Sequence, residues 1–142
     1  MEQSKLISVI IANFKVAYPY YFTKLSDEEF LGLVGIYQEY FGKFNGNALM
    51  RAVKKIIKKE KFMPTIADII EVYKKEARYY FIELVNESNI DEEDKRYLTS
   101  MADWYSVQEE FPDEFMQRIN ELDSKKLSTS NNLQIENKSR SL

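Results

Sequence analysis

The sequence predicts an all-α protein, a compact bundle of about five to six helices followed by a flexible C-terminal tail. Three observations predict it. Gly is 4 and Pro is 3 in 142 residues, too few turn formers for a many-stranded sandwich or barrel. Apolar residues recur at three- to four-residue spacing through most of the chain, the period of a half-buried helix. Hydrophobic residues make up 44% and charged residues 30%. That composition is globular, and a chain of this length buries roughly 70% of its unfolded surface without needing staples.

The elements follow in order. Ser4 is placed to cap a first helix running to about Ala17, with Leu6, Ile7, Ile10, Ile11 and Phe14 on one face. Tyr18-Pro19 ends it, because the residue before proline avoids helical geometry. Tyr20, Tyr21 and Phe22 make an aromatic connector. Ser26 followed by Glu29 reads as a capping box for a second helix carrying Phe30, Leu33, Val34, Tyr37 and Phe41, with Gly42 at its stop. Asn45 or Asn47 opens a third helix with the stripe Leu49, Ala52, Val53, Ile56 and Ile57. Phe62-Met63-Pro64-Thr65 breaks the pattern. Thr65 with Asp68 caps a fourth helix that buries Ile66, Ile69, Ile70, Tyr73 and Ala77 and runs to about Val85. Asp91 to Asp94 suit the positive end of a fifth helix bearing Leu98, Met101, Ala102, Tyr105 and Val107. Pro112 stands near the first turn of a short sixth helix with Phe115, Met116, Ile119 and Leu122. The core is expected to draw on Ile10, Phe14, Val34, Val53, Ile57, Ile66, Ile69 and Ile70. Residues 1–123 therefore read as one helical domain, and the polar, unpatterned residues 124–142 as a tail.

Composition narrows the chemistry. Cys and His are both 0. Thiol nucleophiles, Cys-ligated metals, Ser-His and Cys-His catalysis and imidazole proton shuttles are thereby excluded. The sequence contains no EF-hand loop, P-loop or GxGxxG. No cofactor or metal is expected, and the chain reads as a protein that is not an enzyme. No run approaches the roughly 18 apolar residues of a membrane span, and a cytoplasmic setting follows as the expectation.

Charge is uneven. Residues 1–82 carry thirteen cations against nine anions, whereas residues 83–123 carry three against thirteen. Between Asn45 and Lys61 stand six cations, Arg51, Lys54, Lys55, Lys58, Lys59 and Lys61, against Glu60. Arg51, Lys54, Lys55 and Lys58 share one helix face. Such a stripe suits a phosphate backbone or an acidic partner, or it solubilises an outer helix face. Asn45 and Asn47 are the nearby side chains able to read bases. The connector aromatics read either as packing or as a stacking platform for single-stranded bases. Trp104 reads as a core anchor or as an exposed hot spot. Asp91 to Asp94 point in different directions on a helix and do not converge on one ion.

Phe62-Met63-Pro64-Thr65-Ile66-Ala67-Asp68-Ile69 resembles the F-x-P-T-I-A-[DE]-I segment of phage replicative helicase loaders, including the loader-and-inhibitor family. Tyr18-Pro19, the start Leu25-Ser26-Asp27-Glu28 and the pair Ala52-Val53 agree with that family, and the resemblance covers about residues 5–75. Phe62, Pro64, Thr65, Ile66, Asp68 and Ile69 carry the motif, whose physical content is a proline stop and a threonine cap. The resemblance implies an adaptor that binds a hexameric replicative helicase, loading it or holding it inactive, with a replication-origin protein or DNA as a further partner. For a phage-encoded chain the setting is the host cytoplasm. It also implies a flexible C-terminal part that contacts the helicase, for which Leu127, Leu133 and Ile135 are the anchors here. Two other classes stay open: a DNA-binding replisome organiser or regulator using the lysine face, and a phage inhibitor whose acidic residues 83–123 mimic nucleic acid.

Overall fold

The computed structural model describes residues 3–108 and 110–140, with the side chains of residues 4–108 and 110–126. The described residues form seven helices and no strand. These are α1 (Gln3–Ala17), α2 (Pro19–Thr23), α3 (Asp27–Phe41), α4 (Gly46–Lys59), α5 (Ile66–Glu87), α6 (Glu92–Ser106) and α7 (Asp113–Arg140). The chain divides into two compact units, Met1–Ala77 and Arg78–Leu142, so the division falls inside α5.

In the first unit α1 buries Leu6, Ile7, Ile10, Ile11 and Phe14, the face expected from their spacing. The helix begins at Gln3, which places Ser4 in its first turn rather than at its cap. Tyr18 leaves helical geometry at φ −130°, ψ 62°, and Pro19 then opens α2. Proline costs nothing at a first helical position, where its missing N–H has no partner in any case. The aromatic connector is therefore a short helix, which raises the helix count above five to six.

Ser26 caps α3 as expected: its hydroxyl accepts from the Glu29 N–H, and the Glu29 carboxylate accepts from the Ser26 N–H, both at 3.1 Å. These bonds hold the Glu29 carboxyl below its ordinary pKa. Gly42 ends α3 in right-handed geometry (φ −60°, ψ −27°), not in the left-handed cap usual for glycine. A Cβ there would lie 2.6 Å from the Gln38 carbonyl oxygen, and this close approach is why glycine fits.

Of the eight expected core residues, Ile10, Phe14, Val53 and Ile69 are fully buried. Val34, Ile57, Ile66 and Ile70 are half-buried. Each successive helical residue turns about 100°. In the pairs Ile56-Ile57 and Ile69-Ile70 the first member therefore faces the core and the second lies at its edge. A chain of rings runs through this unit: Tyr18, Phe14, Tyr37, Phe41, Phe44 and Tyr73, with successive centroids 3.9–6.4 Å apart.

The second unit packs Tyr80, Phe81, Leu84 and Val85 of α5 with Leu98 and Ala102 of α6 and Phe115, Met116, Ile119 and Leu122 of α7. Phe81 meets Phe111 and Phe115 edge-on at 5.3 and 6.0 Å. Inside this core the Tyr80 hydroxyl donates to the Asp123 carboxylate. Asp91 caps α6 through the Asp94 N–H at 2.9 Å. Val107, expected on the apolar stripe of this helix, is instead its exposed C-cap. Trp104 is exposed, which removes the core-anchor reading. α7 is longer than the short helix expected, since neither glycine nor proline interrupts residues 113–140. The side chains of the tail anchors Leu127, Leu133 and Ile135 lie outside the described residues.

Truncating Ile69 to alanine deletes fully buried methyl and methylene groups and should cost about 2–5 kcal/mol of unfolding free energy. Ile70→Ala, at the edge of the same core, should cost less than half as much. Denaturant unfolding of both variants checks the order, and equal losses would contradict the packing of α5.

Candidate functional site

The candidate surface with the clearest geometry is built around α4. Its inner face is Ala48, Leu49, Ala52, Val53 and Ile56, all buried. Its outer face presents Arg51, Lys54, Lys55, Lys58 and Lys59, and Lys61 follows in the connector; all six are exposed. The spacing read from the sequence thus becomes one basic face. Lys55 is drawn sideways into a 2.7 Å ion pair with Glu76 of α5. Lys61 leans over the Phe62 ring at 5.9 Å.

Both ends of α4 are held by tyrosines distant in sequence. At the start, buried Asn45 caps the helix by accepting from the Ala48 N–H at 3.0 Å. The backbone N–H of Asn45 in turn donates to the Tyr73 hydroxyl at 3.0 Å. The Tyr73 ring stacks on Phe44 at 3.9 Å. At the far end the Tyr18 hydroxyl donates to the Glu60 carbonyl at 2.8 Å. Burial raises the pKa of the Tyr73 and Tyr37 hydroxyls well above the ordinary value, and burial with the nearby Glu60 charge raises that of Tyr18. Asn45 is thereby committed to the frame and does not reach a base; Asn47, two residues on in the first turn of α4, is exposed. Nothing in the local sequence pattern signals these two tyrosine contacts, which span 28 and 42 residues.

The segment Phe62 to Ile69 sits beside the end of α4. Thr65 and Asp68 form a reciprocal cap: the Asp68 N–H donates to the Thr65 hydroxyl at 3.1 Å, and the Thr65 N–H to the Asp68 carboxylate at 3.2 Å. Ile69 is buried, Pro64 and Ile66 are half-buried, and Phe62 is 78% exposed. Phe62, Met63 and Pro64 border a groove of about 390 Å³ that also takes in Ile56, Glu60, Asp68 and Val72. Its lining mixes these apolar side chains with Glu60, Asp68, Glu71 and Lys75. Sequence reasoning identified the motif but not this groove, whose Glu60 and Val72 come from opposite sides of the junction. Of the connector aromatics, Tyr18 is packed while Tyr20 and Tyr21 are exposed. Among the described residues no cluster of three or more His, Cys, Asp and Glu is arranged to hold a metal ion, and no helix is long and apolar enough to cross a membrane.

This frame has a counterpart among known proteins. Residues 1–70 match the family model for the N-terminal domain of the helicase loader/inhibitor of phage SPP1. Over that stretch the chain is similar to a phage helicase loader/inhibitor N-terminal domain. The match takes in α1 to α4 and the first turn of α5, and so includes the basic face and the Pro64-Thr65 junction. No curated protein and no solved structure matches the chain. The match thus spans most of the first unit, and residues 71–142 lie beyond it.

Thr65→Ala should lower stability by about 1 kcal/mol through loss of one half of the cap, measured by denaturant unfolding. A second expectation concerns pH. Tyr18, Tyr37 and Tyr73 keep their protons in the folded chain at pH values where the unfolded chain releases them. Their contribution is complete below the unfolded value near 10 and is lost as pH rises above it. The melting temperature should therefore fall as pH climbs past about 10. Tyr73→Phe should flatten part of that fall, while costing about 1 kcal/mol at neutral pH because the Asn45 N–H loses its acceptor.

Proposed function

We infer that the chain is a replication adaptor without turnover, which binds a hexameric replicative helicase and delivers it or holds it inactive. The observation that carries this reading is the loader/inhibitor domain over residues 1–70. The geometry supports it in two ways. The domain offers a basic face on a helix pinned at both ends, and beside it a groove edged by the exposed ring of Phe62. Both suit protein contact. An adaptor of this kind works by binding one state of a ring more tightly than another. The setting is the host cytoplasm.

The tail supplies the second contact in this reading, with Leu127, Leu133 and Ile135 as anchors. A folded body and a linked tail engage one partner at two points and raise the effective concentration of each contact. The test is direct binding of the full chain to a purified hexameric replicative helicase from the cognate phage and host. Absence of binding would remove the reading. A chain ended after Lys126 retains the described packing of α7 and should melt like the full chain, yet bind the helicase about tenfold more weakly. Undiminished binding would move the interface onto α4 and the groove.

The exposed stripe favours one other reading, contact with DNA through α4, either alongside the helicase or as a DNA-binding replisome regulator. Arg51→Glu, Lys54→Glu and Lys58→Glu together leave the Lys55–Glu76 pair intact. If the face tracks a phosphate backbone, this triple change should weaken duplex binding and reduce its salt slope by nearly one per lost phosphate contact. An identical salt profile would leave these cations as a protein-facing or solubilising surface.

A further inference from the structure

The second unit lies beyond the loader/inhibitor match and carries a surface that the helicase reading does not use. α6 buries Leu98 and Ala102 on one side. Its opposite side presents Tyr97 at 58% exposure and Trp104 at 60%, and its C-cap Val107 is 78% exposed. Tyr97 and Trp104 are seven residues apart, so they stand two turns apart on one face, with half-buried Met101 between them. From Tyr97 to Val107 the stripe is about 15 Å long at 1.5 Å per residue. Large aromatic side chains left in water at helical spacing on a folded unit mark a contact surface.

The surroundings say what the contact is. Residues 83–123 carry three cations against thirteen anions. Of the cations nearest the stripe, Lys95 and Arg78 stand against carboxylates. Lys95 donates to the Asn86 carbonyl at 3.2 Å and stands 3.8 Å from Glu92. Arg96 reaches back to the Glu92 carbonyl at 3.4 Å. Arg78 pairs with Asp103 at 2.5 Å and lies over the Tyr79 ring. Glu93, one turn before Tyr97, is exposed. An apolar stripe in an acidic field attracts a cationic amphipathic partner and repels nucleic acid.

We propose that the Tyr97–Trp104–Val107 face of α6 is a docking surface for a basic amphipathic helix of a partner protein. The partner's apolar side chains cover the two rings, and its lysines or arginines meet the surrounding carboxylates. A helix suits the site because two or three turns match the length of the stripe.

The test uses the full chain and does not depend on the helicase. The probe is a labelled peptide of about 16 residues with leucines at helical spacing and lysines elsewhere, read by fluorescence anisotropy. Trp104 is the sole tryptophan, so docking should also shift its emission to shorter wavelength. Tyr97→Ser and Trp104→Ser, made separately and together, alter exposed positions and should melt like the parent. The double variant should bind the peptide at least about tenfold more weakly. A peptide with leucines replaced by serines, and one with lysines replaced by glutamates, should each bind much more weakly than the probe. Equal binding by the double variant, or by the serine peptide, would overturn the proposal and leave only charge attraction. Self-association of the chain abolished by Trp104→Ser would also overturn it, by making a second copy the occupant. A folding defect in one single variant leaves the other single variant and the emission shift to decide.

Discussion

The first unit depends on two tyrosine hydroxyls that bind the backbone at opposite ends of α4. Tyr73 accepts from Asn45 before the helix begins, and Tyr18 donates to Glu60 where it stops. Each bond alone is modest, since folding exchanges it for a bond to water. Their weight comes from position. Together they fix where the basic helix starts, where it ends and how it lies against α1 and the start of α5, while the aromatic chain from Tyr18 to Tyr73 fills the space between. Buried Asn45 shows the same logic, because one residue caps α4 with its side chain and anchors it with its N–H.

Much of this fold was legible because its signals are local. The boxes Ser26–Glu29 and Thr65–Asp68 join groups three residues apart, and such pairs are visible in any linear reading. The lysine face follows from helical spacing alone. Burial followed less closely. Periodicity places Ile57 and Ile70 near the core but does not show that Ile56 and Ile69 occupy its centre. The tyrosine bonds, the groove and the exposure of Trp104 and Phe62 arise from tertiary placement, to which no local pattern responds. Gly42 marks the end of α3 correctly, yet for a steric reason rather than for left-handed geometry.

The two units divide their chemistry along with their charge. The half matched by the loader/inhibitor family carries the cations, a pinned helix and a groove lined by both carboxylates and Lys75. The other half concentrates carboxylates and turns aromatic rings outward on α6. These surfaces differ in sign and in texture.

The attachment of α4 through main-chain atoms has an evolutionary consequence. A hydroxyl bound to an N–H or a carbonyl is indifferent to the side chains on the far side of the helix. Outer positions of α4 other than the paired Lys55 can therefore change while the inner alanines, leucine and valine hold the frame. Such a helix is a replaceable cassette. Its outward lettering can be rewritten to follow a changing target, and the scaffold beneath need not be rebuilt.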